Sequence, residues 1–420
     1  RVGLASTAIR RGIPLHTRRL LSLLLMVAAL LGPAASAGSA GAPAESALGP
    51  LPQAPLSPGG QSVPQSMSPA SEGNACLSPG DALVASDTPA PGVDDWRRVA
   101  LPGRGVHDIA FHPTDPRSAI VSTAGSDLGL MVTHDGGATW TQANHGLLDL
   151  EVLRLAREPG VPWTLYAAGV DRLWRSGDGG SHWDAVALPR SPVSRLSAMA
   201  TSALPPGRVY LTTWESCRVT YVSSDGGATW LAYQGPELCS YAPLDSTLVA
   251  SPRNPAVLYL ARAHDRPEIY RSDDGGQTWR RLGNVAGGVN DLAIDPWNDD
   301  HVFAATWGFG VYETVDGGDT WRVASQGLPA SGAGADVTAI WADARRHGVL
   351  YAAVAEAGVY RTVDGGSWWE PYITGMGGDV TVNRLGASPA RPERLWAATS
   401  DGVWTRPLPS HVWLPAVLRP

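Results

Sequence analysis

The 420-residue chain has no lysine: all 32 of its basic residues are arginine. Without an amine side chain there is no Schiff-base nucleophile and no P-loop lysine to reach a nucleotide phosphate. Cysteine is nearly as scarce, at three residues. No Cys-x-x-Cys or His-x-x-x-His occurs and the ten histidines are scattered, so neither a transition-metal site nor a cofactor is expected. Charged residues make up only 17%, with a formal net charge of −7. Five arginines and no acid fall in the first 37 residues, so the remainder is more acidic still. Such a surface repels phosphate backbones, and nucleic acid is not an expected partner. Long apolar runs are missing except Leu20–Leu31, whose twelve residues fall short of the ~20 that cross a bilayer as a helix. Phenylalanine is down to three residues while Trp, Gly and Pro reach 17, 48 and 35, a profile of many short strands joined by tight turns.

Arg10, Arg11, Arg18 and Arg19 precede the apolar run, and Ala35-Ser36-Ala37 supplies the small residues at which signal peptidase cuts. Residues 1–37 therefore read as a secretory signal peptide, leaving a mature chain with no membrane span, expected at the cell surface, in the periplasm or in the medium. The chain opens on Arg1 rather than Met, so translation is expected to begin upstream. Residues 38–92 are Ala, Pro, Ser and Gly with scattered charges, too polar and aperiodic to offset the entropy of ordering, and read as a disordered tether.

From Trp96 the chain repeats itself. Six segments read Ser/Thr-x-Asp-Gly-Gly-x-x-Trp, pairing Asp135 with Trp140, Asp178 with Trp183, Asp225 with Trp230, Asp274 with Trp279, Asp316 with Trp321 and Asp364 with Trp369. The aspartates are spaced 43, 47, 49, 42 and 48 residues apart. A period of 40 to 50 with an aromatic signature in each unit predicts a radial array of small sheets. Each unit carries an apolar pair before its signature (Val311-Tyr312), a strand before that (Val302-Phe303-Ala304-Ala305-Thr306) and an earlier one ending at a proline corner (Asp291 to Ile294, then Asp295-Pro296). Four strands per unit follow: inner, second, third, signature turn, outer.

The signature resembles the Asp-box, or BNR repeat. Ser223-Ser224-Asp225-Gly226-Gly227-Ala228-Thr229-Trp230 and Ser272-Asp273-Asp274-Gly275-Gly276-Gln277-Thr278-Trp279 match it throughout. Boxes one, five and six open with Thr133, Thr314 and Thr362, and His182 and Trp368 stand before the tryptophan in boxes two and six. The resemblance implies a β-propeller of the kind shared by sialidases, xyloglucanase-type glycoside hydrolases, sortilin-type receptors and photosystem II assembly factors. It implies structural work for the box: an aspartate collecting backbone N–H bonds, glycines allowing positive φ, and a tryptophan between blades.

A seventh unit runs from Val382-Asn383-Arg384-Leu385 through Leu395-Trp396-Ala397 to Gly402-Val403-Trp404 and stops without a box or outer strand. Trp96-Arg97-Arg98-Val99, near the start, looks like the strand Trp321-Arg322-Val323 that follows a box. The expected fold is all-β, a seven-bladed propeller over residues 96–409 in which the N-terminal strand completes the last blade and closes the ring, with residues 410–420 as a tail.

Function is sought on the face opposite the boxes. Aligning inner strands by their Ile or Leu puts Asp108, Arg154, Arg195, Thr247, Asp291, Ala339 and Arg384 at one level near the channel mouth. Arginines and aspartates there form either an anion-binding ring or a self-satisfied network. Loops after the second strand add Trp214, Glu215, Trp307 and Phe309, with carboxylates at Asp127, Asp171, Asp265, Glu356 and Asp401, the composition of a sugar-binding surface. The sialidase motif Arg-Ile-Pro is absent between Trp96 and Asp135, so no catalytic residue is assigned, and xyloglucanase-type enzymes clasp substrate between two propellers where this chain has one. Cys217 and Cys239, 22 residues apart on loops of one face, are expected to form a disulfide worth about 3 kcal/mol in the chain-entropy picture, with Cys76 left over in the tether. The expectation is a monomeric, exported, non-catalytic scaffold that binds a protein or polysaccharide. The alternative is a glycoside hydrolase or lyase using carboxylates on the box-free face.

Overall fold

The computed structural model of the protein describes residues 95–408 apart from 126, 160–162, 189–195, 203–206, 214–218, 236–245, 263–266, 331–333, 378 and 391–392, together with the strand Leu83–Val84. These residues belong to one unit of the chain, Asn74–Pro420. The leader, nearly all of the tether, the C-terminal tail, Cys76, Cys217 and Cys239 lie outside the described residues. Among those described, no helix is long and apolar enough to cross a membrane.

Alternation along each strand explains the architecture. In blade 6 the second strand, Leu350–Val354, is buried at every position. Leu350, Ala352 and Val354 face the preceding blade, while Tyr351 and Ala353 face the following one. With both faces covered, the strand reads as a continuous apolar run rather than an alternating one. The same division recurs around the molecule. There are seven antiparallel sheets, and the buried apolar side chains sort into seven clusters, one at each blade-to-blade junction. The protein is a seven-bladed β-propeller, all-β, as its repeats predict.

The box turns are tied by their own side chains. In the first, Thr133 Oγ1 donates to Asp135 Oδ1 at 2.8 Å and accepts Gly137 N–H at 2.9 Å. Asp135 also accepts the N–H of Thr139 at 2.9 Å and its hydroxyl at 2.6 Å. Gly136 and Gly137 sit at φ 80° and 93°, which a side chain would oppose. The hydroxyl-to-aspartate bond recurs in the other five boxes. Trp140, Trp183 and Trp369 are buried, and Trp230, Trp279 and Trp321 half-buried. Trp183 and Trp369 donate their indole N–H across the junction to Ala143 O and Ala324 O of the preceding blade, each at 2.8 Å.

These bonds have a pH signature. Hydrogen bonds from Thr139 hold the Asp135 carboxyl down to about 2, and those from Thr229 do the same for Asp225. An unfolded aspartate titrates near ~3.9, so the stabilisation is fully present above about pH 4 and is lost as pH falls toward about 2. Melting curves between pH 5 and 2 should show this decline. The double variant Asp135→Asn, Asp225→Asn should start lower at pH 5 and lose less on acidification. Equal declines in both proteins would contradict the assignment.

Closure uses the N-terminal strand. Arg97–Ala100 pairs antiparallel with Gly402–Pro407, matching Arg97 to Thr405 and Arg98 to Trp404. Trp96 takes the place of a box tryptophan without a box: it is 1% exposed and donates its indole N–H to Tyr372 O at 2.7 Å and its backbone N–H to Thr374 O at 2.8 Å. One strand falls inside the segment read as tether. Leu83–Val84 pairs with the outer strand of blade 1, Leu83 opposite Trp140 and Val84 opposite Thr139. Ladder bonds are made by the backbone, so two residues pair without any periodicity to announce them.

Candidate ligand-binding face

Five of the seven inner strands carry a β-bulge at one height; those of blades 2 and 4 pair without a shift. Register shifts between Val106 and Asp108, Leu196 and Ala198, Val289 and Asp291, Val337 and Ala339, and Val382 and Arg384. A bulged residue is released from the ladder and its side chain re-aimed. Three of them reach the next blade: Asn290 Nδ2 donates to Val337 O at 2.8 Å, Thr338 Oγ1 to Val382 O at 2.7 Å, and Asn383 Nδ2 to Val106 O at 2.7 Å. Blades 5, 6, 7 and 1 are thereby joined in series around the channel.

The residue after each bulge stands at the level the alignment predicts, together with Arg154 and Thr247 of the two unbulged strands, with one correction. Asp108, Arg154, Thr247, Asp291, Ala339 and Arg384 share the level, but in blade 3 Leu196 pairs with Thr213 as Val106 pairs with Thr123, so Ala198 occupies it. Arg195 lies before the strand and outside the described residues. Aligning Leu196 with Ile109 displaced that blade by three positions, because Leu196 is the counterpart of Val106 and the residue inserted at the bulge leaves both Leu196 and the position three further on in apolar places.

Asp108 and Asp291 are almost entirely buried, at 2% and 4% exposure. Asp108 accepts the N–H of Ile109 at 2.9 Å and, from the neighbouring blade, that of Leu155 at 3.0 Å. Asp291 does the same with Leu292 at 3.0 Å and Ile340 at 3.2 Å. Arg384 lies between them, Nε 3.4 Å from Asp108 and Nη1 3.0 Å from Asp291, and the Asp291 carboxylate raises its already high pKa. Burial, then the Arg154 guanidinium, pushes His107 down to about 4, which keeps it neutral at physiological pH. The described members of the ring therefore balance two carboxylates against two guanidinium groups, with their acids turned to the backbone.

On the rim, Trp307 and Phe309 stand on the turn after the second strand of blade 5, 45% and 39% exposed. Asp127, Asp171 and Asp401 on corresponding turns are paired with Arg104, Arg172 and Arg98. Trp214, Glu215 and Asp265 lie outside the described residues. Among the described residues no three His, Cys, Asp or Glu side chains gather as a metal-binding group. What sequence reasoning missed is the Asn290–Thr338–Asn383 series. Its signal was a valine followed by a polar residue at the head of three successive inner strands.

No family model matches the chain. Among curated proteins, a probable oligoxyloglucan-reducing end-specific xyloglucanase of Neosartorya fischeri is 27% identical over 216 residues, 48% of this chain and 25% of that protein. A xyloglucanase of Hypocrea jecorina is 37% identical over 82 residues, 19% of this chain and 9% of that protein. The matches thus span a quarter or less of either relative. Among solved structures, the GH74 xyloglucanase from Xanthomonas campestris superposes with TM-score 0.58 at 21% identity, covering 75% of this chain and 54% of that one. YCF48 bound to D1 peptide also superposes at 0.58, with 17% identity, over 79% of this chain and all of that one. The chain is thus similar in fold both to propellers of polysaccharide-cleaving enzymes and to a single-ring propeller that holds a peptide.

Proposed function

We propose that the protein is an exported, non-catalytic scaffold that binds a protein or polysaccharide on the face opposite its box turns. The observation that carries this reading is how the channel-mouth acids are used. A glycosidase needs a carboxyl that can hand its proton to a sugar oxygen and a second one beside it. Asp108 and Asp291 are buried, bonded to backbone N–H groups of two blades each and bridged by Arg384, whereas Trp307 and Phe309 on the same face are open to solvent. Exposed aromatic rings over a rigid frame suit docking. The similarity in fold to a single ring that binds a peptide supports the same reading. Export rests on the leader-like residues 1–37.

Hydrolysis is the second reading, favoured by the sequence matches to xyloglucanases. A glycan array and a peptide library, read with the parent protein and with Trp307→Ala, Phe309→Ala, test the proposal together with a panel of chromogenic glycosides. The expected result is a ligand whose affinity falls at least tenfold in the aromatic variant, and no turnover of any glycoside. Binding indifferent to both rings would overturn the docking face. Turnover that Asp108→Asn or Asp291→Asn abolishes would establish the hydrolase.

A further inference from the structure

The turns after the second strands of blades 5 and 6 follow one plan, Thr306 facing Gly310 across the first and Val354 facing Gly358 across the second. The middle residue is Gly308 at φ 74° in blade 5 and Glu356 at φ 60° in blade 6. Left-handed backbone is costly for a residue with a side chain, and only Leu101 shares it among the described non-glycine residues. Glu356 is exposed, and unlike Asp127, Asp171 and Asp401 it has neither an ion pair nor a side-chain hydrogen bond within the described residues. The fold would be served better by glycine there, and among the described residues it draws no bond from the carboxylate.

Its surroundings say what the carboxylate is placed for. Gly310 N–H donates to Ala335 O at 2.7 Å and Ala355 N–H to Asp336 O at 2.8 Å, so the two turns flank consecutive residues of one connecting segment. Trp307 and Phe309 are therefore carried on the turn next to Glu356, all on the box-free face. Two exposed aromatic rings on the turn neighbouring a carboxylate that has no partner among the described residues match a cation on an apolar stem: the rings take the stem and the charge, and the carboxylate pairs with it. A neutral sugar would use the rings and leave the charge unanswered. The net charge of −7 favours the same kind of partner.

We propose that Trp307, Phe309 and Glu356 form a recognition site for a lysine or arginine side chain of a partner protein. The proposal rests on the box-free face being the binding face. The full-length protein is titrated with fluorescein-labelled deca-lysine, and separately with a neutral cello-oligosaccharide, comparing the parent with Glu356→Gln, Glu356→Gly and Trp307→Ala. Asp319→Asn, an equal charge change on a box turn, is the control. Glu356→Gln and Trp307→Ala are each expected to weaken deca-lysine binding at least fivefold, and Asp319→Asn less than twofold. Glu356→Gly should lose the same affinity while melting at a higher temperature than the parent, which separates binding from folding. Equal weakening by Glu356→Gln and Asp319→Asn would reduce the effect to general attraction and overturn the site. Loss of oligosaccharide binding in Trp307→Ala with deca-lysine unaffected would keep the face and overturn its preference for a cation. Indifference of both probes to Trp307→Ala would overturn both.

Discussion

A chain that begins at Gly103 is expected to melt well below the full protein and over a broader range. The truncation removes the closing ladder of Arg97–Ala100 and exposes the edge of Gly402–Pro407, a template for pairing with other chains. It also empties the junction between blades 6 and 7, where Trp96 packs among Tyr351, Tyr372, Leu385 and Leu395. Removal of that one side chain by Trp96→Ala should cost about 3–5 kcal/mol, the range for deleting a large buried aromatic. Calorimetry of the full protein, the Trp96→Ala variant and the truncated chain ranks the three. The order should be full protein, then point variant, then truncation, with the truncated chain also losing solubility. An unchanged transition in the truncated chain would mean that six blades and a fragment are self-sufficient.

The second large effect is expected at Arg384. Asp108 and Asp291 both rely on this guanidinium, and at 2% and 4% exposure neither can turn to bulk water when it is removed. Breaking a buried pair from one side costs about 3–5 kcal/mol because a charge is left uncompensated. Arg384 itself is 37% exposed, so water entering the channel offsets part of the loss and Arg384→Met should fall near the lower end, about 3 kcal/mol. Adding Asp108→Asn and Asp291→Asn to Arg384→Met should recover part of the deficit: each amide oxygen keeps the bond from Leu155 or Ile340, while its NH2 group, which cannot accept, forfeits the one from Ile109 or Leu292. Denaturant melts of the single and triple variants measure this, and a triple variant no better than the single one would refute the charge account.

Much of the architecture was written in side chains. The box aspartates and tryptophans mark six blades, runs such as Leu350–Val354 mark strands covered on both sides, and Trp96-Arg97 marks the strand that closes the seventh. What escaped reading was set by the backbone. In blade 3 Ser197 follows Leu196 as His107 follows Val106, but alignment on the large apolar residue alone passes over that pair, and the bulge that puts Ala198 at the channel leaves no trace in hydropathy. The series Asn290, Thr338 and Asn383 depends on that same bulge, since in a regular strand those side chains would not be turned to the next blade. Leu83–Val84 pairs with blade 1 through a main-chain ladder, which no side-chain pattern announces. The candidate site was legible as a list of aromatic and acidic loop residues. That Asp108 and Asp291 are spent on neighbouring strands while Glu356 is not could be learned only from three dimensions.

The short strand at Leu83–Val84 also gives the molecule a mechanical property. Tension applied upstream of Leu83 is borne first by its two-residue ladder on the rim of blade 1, and only after that ladder parts does load pass to the pairing of Arg97–Ala100 with blade 7. A two-residue ladder in front of a four-residue one behaves as a fuse: a modest tug should part the first while the disc itself stays shut.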